Sequence, residues 1–266
     1  MITESRHFTR IVTGIVLIAI IVAALVLSGP WLMGLLLLFS LIGLWEFYGM
    51  FWPGAEFLGG RILGLVLGGI LVLAVWFNRD LLMATLGLCM LALACTFLFR
   101  WAKNEERHFH EAAVLGSGLL YVPMLIMPAL WLSLPEQCLM LCVPAVSDTV
   151  AYFAGSRFGK HKIWPKVSPK KSIEGSAAGL AGAMIISIVF GVALGNGNVF
   201  AFLLLGLALG IMAQLGDFFE SALKRSRSVK DSGKILPGHG GILDRIDSLL
   251  FVIPSYAIAT SFWTFF

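Results

Sequence analysis

Long uninterrupted apolar runs dominate the chain, and none of them alternates polar and apolar positions at period two. They lie near residues 11–28, 31–52, 60–77, 81–99, 112–133, 138–155, 175–195, 199–219 and 247–266. Each is close to the roughly 20 residues that carry an α-helix across a hydrocarbon core. Gly29-Pro30, Pro53-Gly54, Asn78-Arg79-Asp80, Pro135-Glu136 and Gly195-Asn196-Gly197-Asn198 separate them, as helix-ending residues do. A transmembrane β-barrel would instead show strands of about ten residues with alternating polarity. The pattern predicts an all-α integral membrane protein, a polytopic bundle of about nine transmembrane helices. The first run follows Arg6 and Arg10, exceeds the ~7–15 apolar residues of a signal peptide, and precedes no small-x-small cleavage site. It is expected to remain as a helix.

Composition agrees: 59% of the 266 residues are hydrophobic and 13% are charged, about half the charge of a soluble domain. That excludes an ordinary soluble enzyme or binding module. With nine crossings, eighteen of the nineteen Lys and Arg residues fall on one side, leaving only Arg79 on the other. Lys and Arg accumulate on the cytoplasmic side, so the N-terminus is expected inside and the C-terminus outside. The chain reads as one multi-pass membrane domain over 1–266, with N-terminal helices over 1–140 and a cytoplasm-facing region over 141–250. No nucleic-acid partner is expected. Cys89, Cys95, Cys138 and Cys142 lie in or beside apolar runs without CxxC spacing, and read as small apolar residues, not as a disulfide framework.

Two cytoplasmic loops stand out, Ser156 to Gly175 and Lys224 to Asp247. Attraction to anionic lipid accounts for their Lys and Arg, but not for the Gly, Pro, His and Asp among them. Acids inside apolar runs are costly and signal function; here they are Glu46, Asp148, Asp217 and Glu220. Asp217, Glu220, Ser221 and Lys224 recur at helical spacing and share a face, and Asp244, Asp247 and Ser248 repeat the pattern further on. Hard carboxylate oxygens at a basic rim suit a Mg²⁺–phosphate site, with Asp217, Asp244, Asp247 and Asp148 as candidate ligands. The glycines of "PGHGG" allow close backbone approach to a bulky anion. Glu46 stands alone on its run, so a packing or dimer-contact role fits it at least as well as a site role. No P-loop, HExxH or GxSxG motif occurs. His239 alone has a suggestive setting; His7, His108, His110 and His161 read as exposed loop residues.

The segment "SALKRSRSVKDSGKILPGHGGILDRID", Ser221 to Asp247, resembles the signature of the phosphatidate cytidylyltransferases, the CDP-diacylglycerol synthases. It matches S-x-x-K-R-x4-K-D-x-G-x2-[LIF]-P-x-H-G-G-x-x-D-R-x-D throughout. Upstream, "SDTVAYFAGSRFGKHK" and "SPKKSIEG" are similar to two further family segments. Val150 and Ser172 stand where the family more often has Gly and Thr. The likeness is strong over about 145–250; before residue 140 it is one of hydrophobic character only. It implies a nucleotidyltransferase of phospholipid biosynthesis that converts CTP and phosphatidic acid to CDP-diacylglycerol and pyrophosphate with Mg²⁺. It implies a homodimer in the cytoplasmic (inner) membrane, with the active site facing the cytoplasm. Carried onto this sequence, the catalytic set is Asp217, Lys224, Arg225, Asp244, Arg245 and Asp247. Lys170, Lys171, Ser221, Lys230, Asp231, His239, Gly240 and Gly241 would bind substrates. The alternatives are a CTP-dependent polyprenol kinase and an ion-coupled membrane transporter. The transporter fits poorly, because the acids gather near one face and no inverted repeat is visible.

Overall fold

A computed structural model describes residues 2–103 and 108–266. Arg107 lies outside them, as do the side chains of Arg6, His7, Arg10 and His108. The described residues are helical apart from loops and two isolated β-bridges. Among the described residues, seven helical segments are long and apolar enough to cross a membrane, so the expectation of a polytopic helical membrane protein holds. The last predicted run falls short of that length, as does the described part of the first. The apolar stretch Ile11–Leu27 is one of the shorter helical segments, and the last helix, Leu243–Ala259, has 17 residues.

The chain divides into two compact units, one of residues 1–130 and 231–244, the other of 131–230 and 245–266. The first contains α1 (Ile2–Leu27), α2 (Gly29–Phe51), α3 (Leu58–Phe77), α4 (Leu81–Ala102), α5 (His108–Tyr121) and the single turn α6 (Pro123–Ile126). The run predicted at 112–133 is therefore not one regular helix. Pro123 has no N–H to donate, and the chain restarts as α6 and a 3-10 turn, Met127–Trp131. The core of this unit forms around Tyr48 of α2, which is wholly buried. Its hydroxyl donates to the Leu115 carbonyl of α5 at 2.9 Å. Gly64 of α3 and Gly118 of α5 leave room for its ring, since a Cβ at either position would run into it.

The second unit contains α7 (Leu134–Phe158), α8 (Ile173–Ala193), α9 (Val199–Ser226) and most of α10 (Leu243–Ala259). Here α8 packs against both α7 and α9. Lipid offers no hydrophobic drive for helix association, so membrane helices associate through close packing of small residues. A Cβ on Gly175 would lie 2.7 Å from the Ala151 carbonyl, and one on Gly179 would lie 2.8 Å from the Ser147 carbonyl. Gly206 of α9 meets the Ala183 carbonyl in the same way. The last run was predicted to 266, but α10 stops at Ala259 and the chain turns back. Phe265 and Phe266 then pack edge-on against Phe202, at 5.4 and 5.5 Å between ring centroids. The four cysteines are free thiols, as expected.

Candidate functional site

A polar cleft of about 610 Å³ opens in the second unit, beside α7, α8, α9 and the loop that joins α7 to α8. Asp148 of α7 and Asp217 of α9 line it, with Lys170 and Lys171 from the loop. Its shape follows from local sequence. The Ser172 hydroxyl caps α8 by accepting from the Gly175 N–H at 3.2 Å. Glu174, in the first turn of α8, accepts from the Lys160 N–H at 3.0 Å and contacts His161 Nδ1 at 2.6 Å. These bonds fold the loop back, so that His161 and Ile173 are joined across it. His161 is exposed, as expected, yet it anchors this turn.

Charges are paired across the cleft. The Lys171 ammonium meets the Asp217 carboxylate and also lies 4.6 Å from the centre of the Phe218 ring. The Ser221 hydroxyl, one turn along α9, donates to Asp217 at 3.3 Å. Asp148 feels the charges of Lys171 and Asp217, and Asp247 of α10 feels Asp217, Lys224 and Asp148. Behind them, Gln214 and Ser176 lock α9 to α8 with bonds of 2.6 and 3.0 Å. Lys224 is buried against Glu220, a carboxylate with no solvent exposure. Among the described residues, no three His, Cys, Asp or Glu side chains cluster tightly enough to hold a metal by themselves. The available hard donors are Asp148 and Asp217 beside Lys171, and Asp247 beside Lys224.

Of the remaining predicted residues, Arg225, Lys230 and Arg245 belong to the second unit. Arg225 is exposed and donates to the Val229 carbonyl at 3.0 Å; Lys230 and Arg245 are also exposed. Asp231, His239, Gly240, Gly241 and Asp244 belong to the segment of the first unit over 231–244. That segment is a tight turn. The Leu236 N–H donates to the Gly240 carbonyl at 2.9 Å, and the His239 N–H donates to Leu236. Gly238 and Gly240 take φ values of 77° and 85°, the left-handed region that favours glycine. The His239 ring lies against Gly14 of α1. Asp244 Oδ2 accepts from the Gly241 and Ser232 N–H groups at 2.8 and 3.0 Å.

The family model described as "Cytidylyltransferase family" matches residues 8–263. The chain belongs to the cytidylyltransferase family. It is 36% identical over 256 residues to a phosphatidate cytidylyltransferase of Staphylococcus haemolyticus, covering 92% of this chain and 95% of that protein. A protein of the same name from Staphylococcus saprophyticus is 33% identical with the same coverage. One from Bacillus subtilis is 51% identical over 109 residues, 41% of this chain and 40% of the relative. Membership agrees with the resemblance carried by the signature segment.

In this cytidylyltransferase-family chain the sequence patterns bring together Asp148, Asp217, Asp247, Lys170, Lys171, Ser221 and Lys224. They did not reveal Gln214, Ser176 or Glu174, which are ordinary polar residues until the fold pairs them. The junction of α9 and α10 is equally hidden. A Cβ on Gly216 would lie 2.6 Å from the Asp247 carbonyl and 3.0 Å from Ser248 Cα. Gly216→Ala is expected to push α10, and with it Asp247, away from Asp217. Overpacking of this kind costs about 1–3 kcal/mol, which a thermal melt in detergent would read as a fall of several degrees, together with lost turnover. Wild-type melting and turnover in this variant would show that the contact positions nothing.

Proposed function

We propose that the chain is a phosphatidate cytidylyltransferase, which joins CTP and phosphatidic acid to give CDP-diacylglycerol and pyrophosphate. The observation that carries this reading is near full-length similarity to relatives of that name. The cleft suits the chemistry. A lipid phosphomonoester has a second pKa near 6, judged by phosphoserine, so it is mostly a dianion at pH 7. One of its oxygens can attack the α-phosphorus of CTP without a strong protein base. A new P–O bond forms there, and the bond to the β-phosphate breaks, so pyrophosphate leaves with the electron pair. The protein must bring two anions together and hold the charge of the leaving group. Lys170 and Lys171 stand where they can do so. Lys171, already seated on Asp217 and over Phe218, presents its charge in a fixed place.

The reading includes Mg²⁺. Mg²⁺ usually takes one or two protein carboxylates, waters and substrate phosphate oxygens, so the set Asp148, Asp217 and Asp247 fits without a ready cluster of three. Bound there, the ion would neutralise phosphate charge. Asp244 also serves its own turn through Oδ2, and a metal role for it rests on the signature alone. The signature likewise assigns Lys224, Arg225 and Arg245 to the reaction, Ser221, Lys230 and Asp231 to substrate binding, and His239, Gly240 and Gly241 to the nucleotide. The Lys and Arg distribution supports nine crossings, a cytoplasmic N-terminus and a site open to cytosolic CTP in the inner membrane. A homodimer belongs to the same reading. Purified protein in mixed micelles, given labelled CTP, phosphatidic acid and Mg²⁺, is expected to produce a lipid-soluble cytidine product, and EDTA is expected to stop it. Undiminished turnover in EDTA would remove the metal from this account.

A further inference from the structure

Glu46, on α2, is a lone acid in an apolar run, and its own unit buries it to 4% exposure. Both carboxylate oxygens are occupied by the segment over 231–244. Oε2 accepts from the Leu243 N–H at 2.8 Å and from the Ser232 hydroxyl at 3.2 Å, and Oε1 accepts from the Ile242 N–H at 3.2 Å. Leu243 begins α10, so Glu46 takes up N–H groups that the start of a helix leaves without partners. The negative end of the side chain also lies where a helix N-terminus favours it. Two glycines of the signature exist in this setting to admit Glu46. A Cβ on Gly233 or on Gly241 would run into its carboxylate. Ser232 connects the two acids of the network, giving its hydroxyl to Glu46 and its N–H to Asp244.

We infer that Glu46 is a positioning residue for the nucleotide-binding part of the reaction: it pins both ends of the Ser232–Leu243 turn, and so sets the shape of the segment that carries His239, Gly240 and Gly241. This rests on the cytidylyltransferase reading given above, for the role though not for the geometry. Glu46→Gln keeps the shape of the side chain but replaces one acceptor oxygen with an amide that faces donors. Loss of a buried hydrogen bond to a carboxylate is expected to raise KM for CTP about tenfold or more. KM for phosphatidic acid should stay near its wild-type value. Ser232→Ala removes one donor while the Ile242 and Leu243 N–H groups still serve the carboxylate, and should raise KM for CTP by a smaller factor. The double variant should be no worse than Glu46→Gln alone, because both changes cut the same network.

Hydrogen exchange of the substrate-free protein provides an arm that needs no activity. The peptide holding Ile242 and Leu243 is expected to exchange about tenfold faster in Glu46→Gln, with α3 and α5 unchanged. If Glu46→Gln does not fold, Ser232→Ala decides in both assays. Equal rises in KM for both substrates, or an unchanged KM for CTP, would overturn the positioning role. Unchanged exchange at 242–243 would overturn the pinning itself. An inactive wild-type protein with the expected exchange pattern would leave the pinning standing and sink the functional reading instead.

Discussion

Asp217→Asn is expected to lower turnover by about two to three orders of magnitude, the usual scale for removing a charge aligned with a polar reaction. The asparagine is nearly isosteric, and the Lys171–Asp217 pair it breaks is about a quarter exposed on each side. Partly exposed pairs contribute roughly 0–1 kcal/mol to stability, so expression, insertion and melting should change little. Asp217 faces the cleft, pairs with Lys171, accepts from Ser221 and shares its field with Asp148 and Asp247. Removing its charge alters every charged group there at once. The check is kcat beside a detergent melt of the same preparation. Near wild-type kcat in a well-folded variant would remove Asp217 from the chemistry.

Lys224→Ala should act in the opposite sense, on stability first. Glu220 has no solvent exposure, and the Lys224 side chain is 11% exposed. Truncating one partner of a buried pair costs about 3–5 kcal/mol, because the other charge stays buried without it. The expected result is a large fall in melting temperature and in folded yield. Adding Glu220→Gln should restore most of the lost stability, since the residual buried charge is then gone. Turnover measured in that double variant separates the roles. If melting recovers and turnover does not, Lys224 also serves substrate phosphates or Asp247. A single variant that melts like wild type while losing turnover would show the pair to be dispensable for the fold.

The helices were legible where apolar length alone defines them. α2, α3 and α4 lie close to the predicted runs, because an unbroken apolar stretch has few other ways to satisfy its backbone in lipid. The break at Pro123 and the early end of α10 were not legible. The first depends on how a proline is accommodated, and the second on Phe265 and Phe266 finding Phe202 more than sixty residues away. The helical spacing of Asp217, Glu220, Ser221 and Lys224 correctly placed them near one another. It did not reveal that they form two separate pairings, one in the cleft and one buried. The partner of Asp217 is Lys171, 46 residues earlier, and the partners of Glu46 lie 186 to 197 residues later. Periodicity cannot show such pairings. What could be read in advance was the cost of an acid in an apolar run, which singled out Glu46, Asp148, Asp217 and Glu220, each of which has a specific charged or hydrogen-bonded setting in the fold.

The central claim is transfer of a cytidylyl group to a lipid phosphate. It is tested most directly by giving the purified protein phosphatidic acid, Mg²⁺ and CTP labelled with radioactive phosphorus at either the α or the γ position. Cytidylyl transfer predicts that α-label moves into the lipid phase and that γ-label leaves as pyrophosphate. Gamma-label in the lipid would mean phosphoryl transfer, as in a CTP-dependent kinase, and would contradict the account.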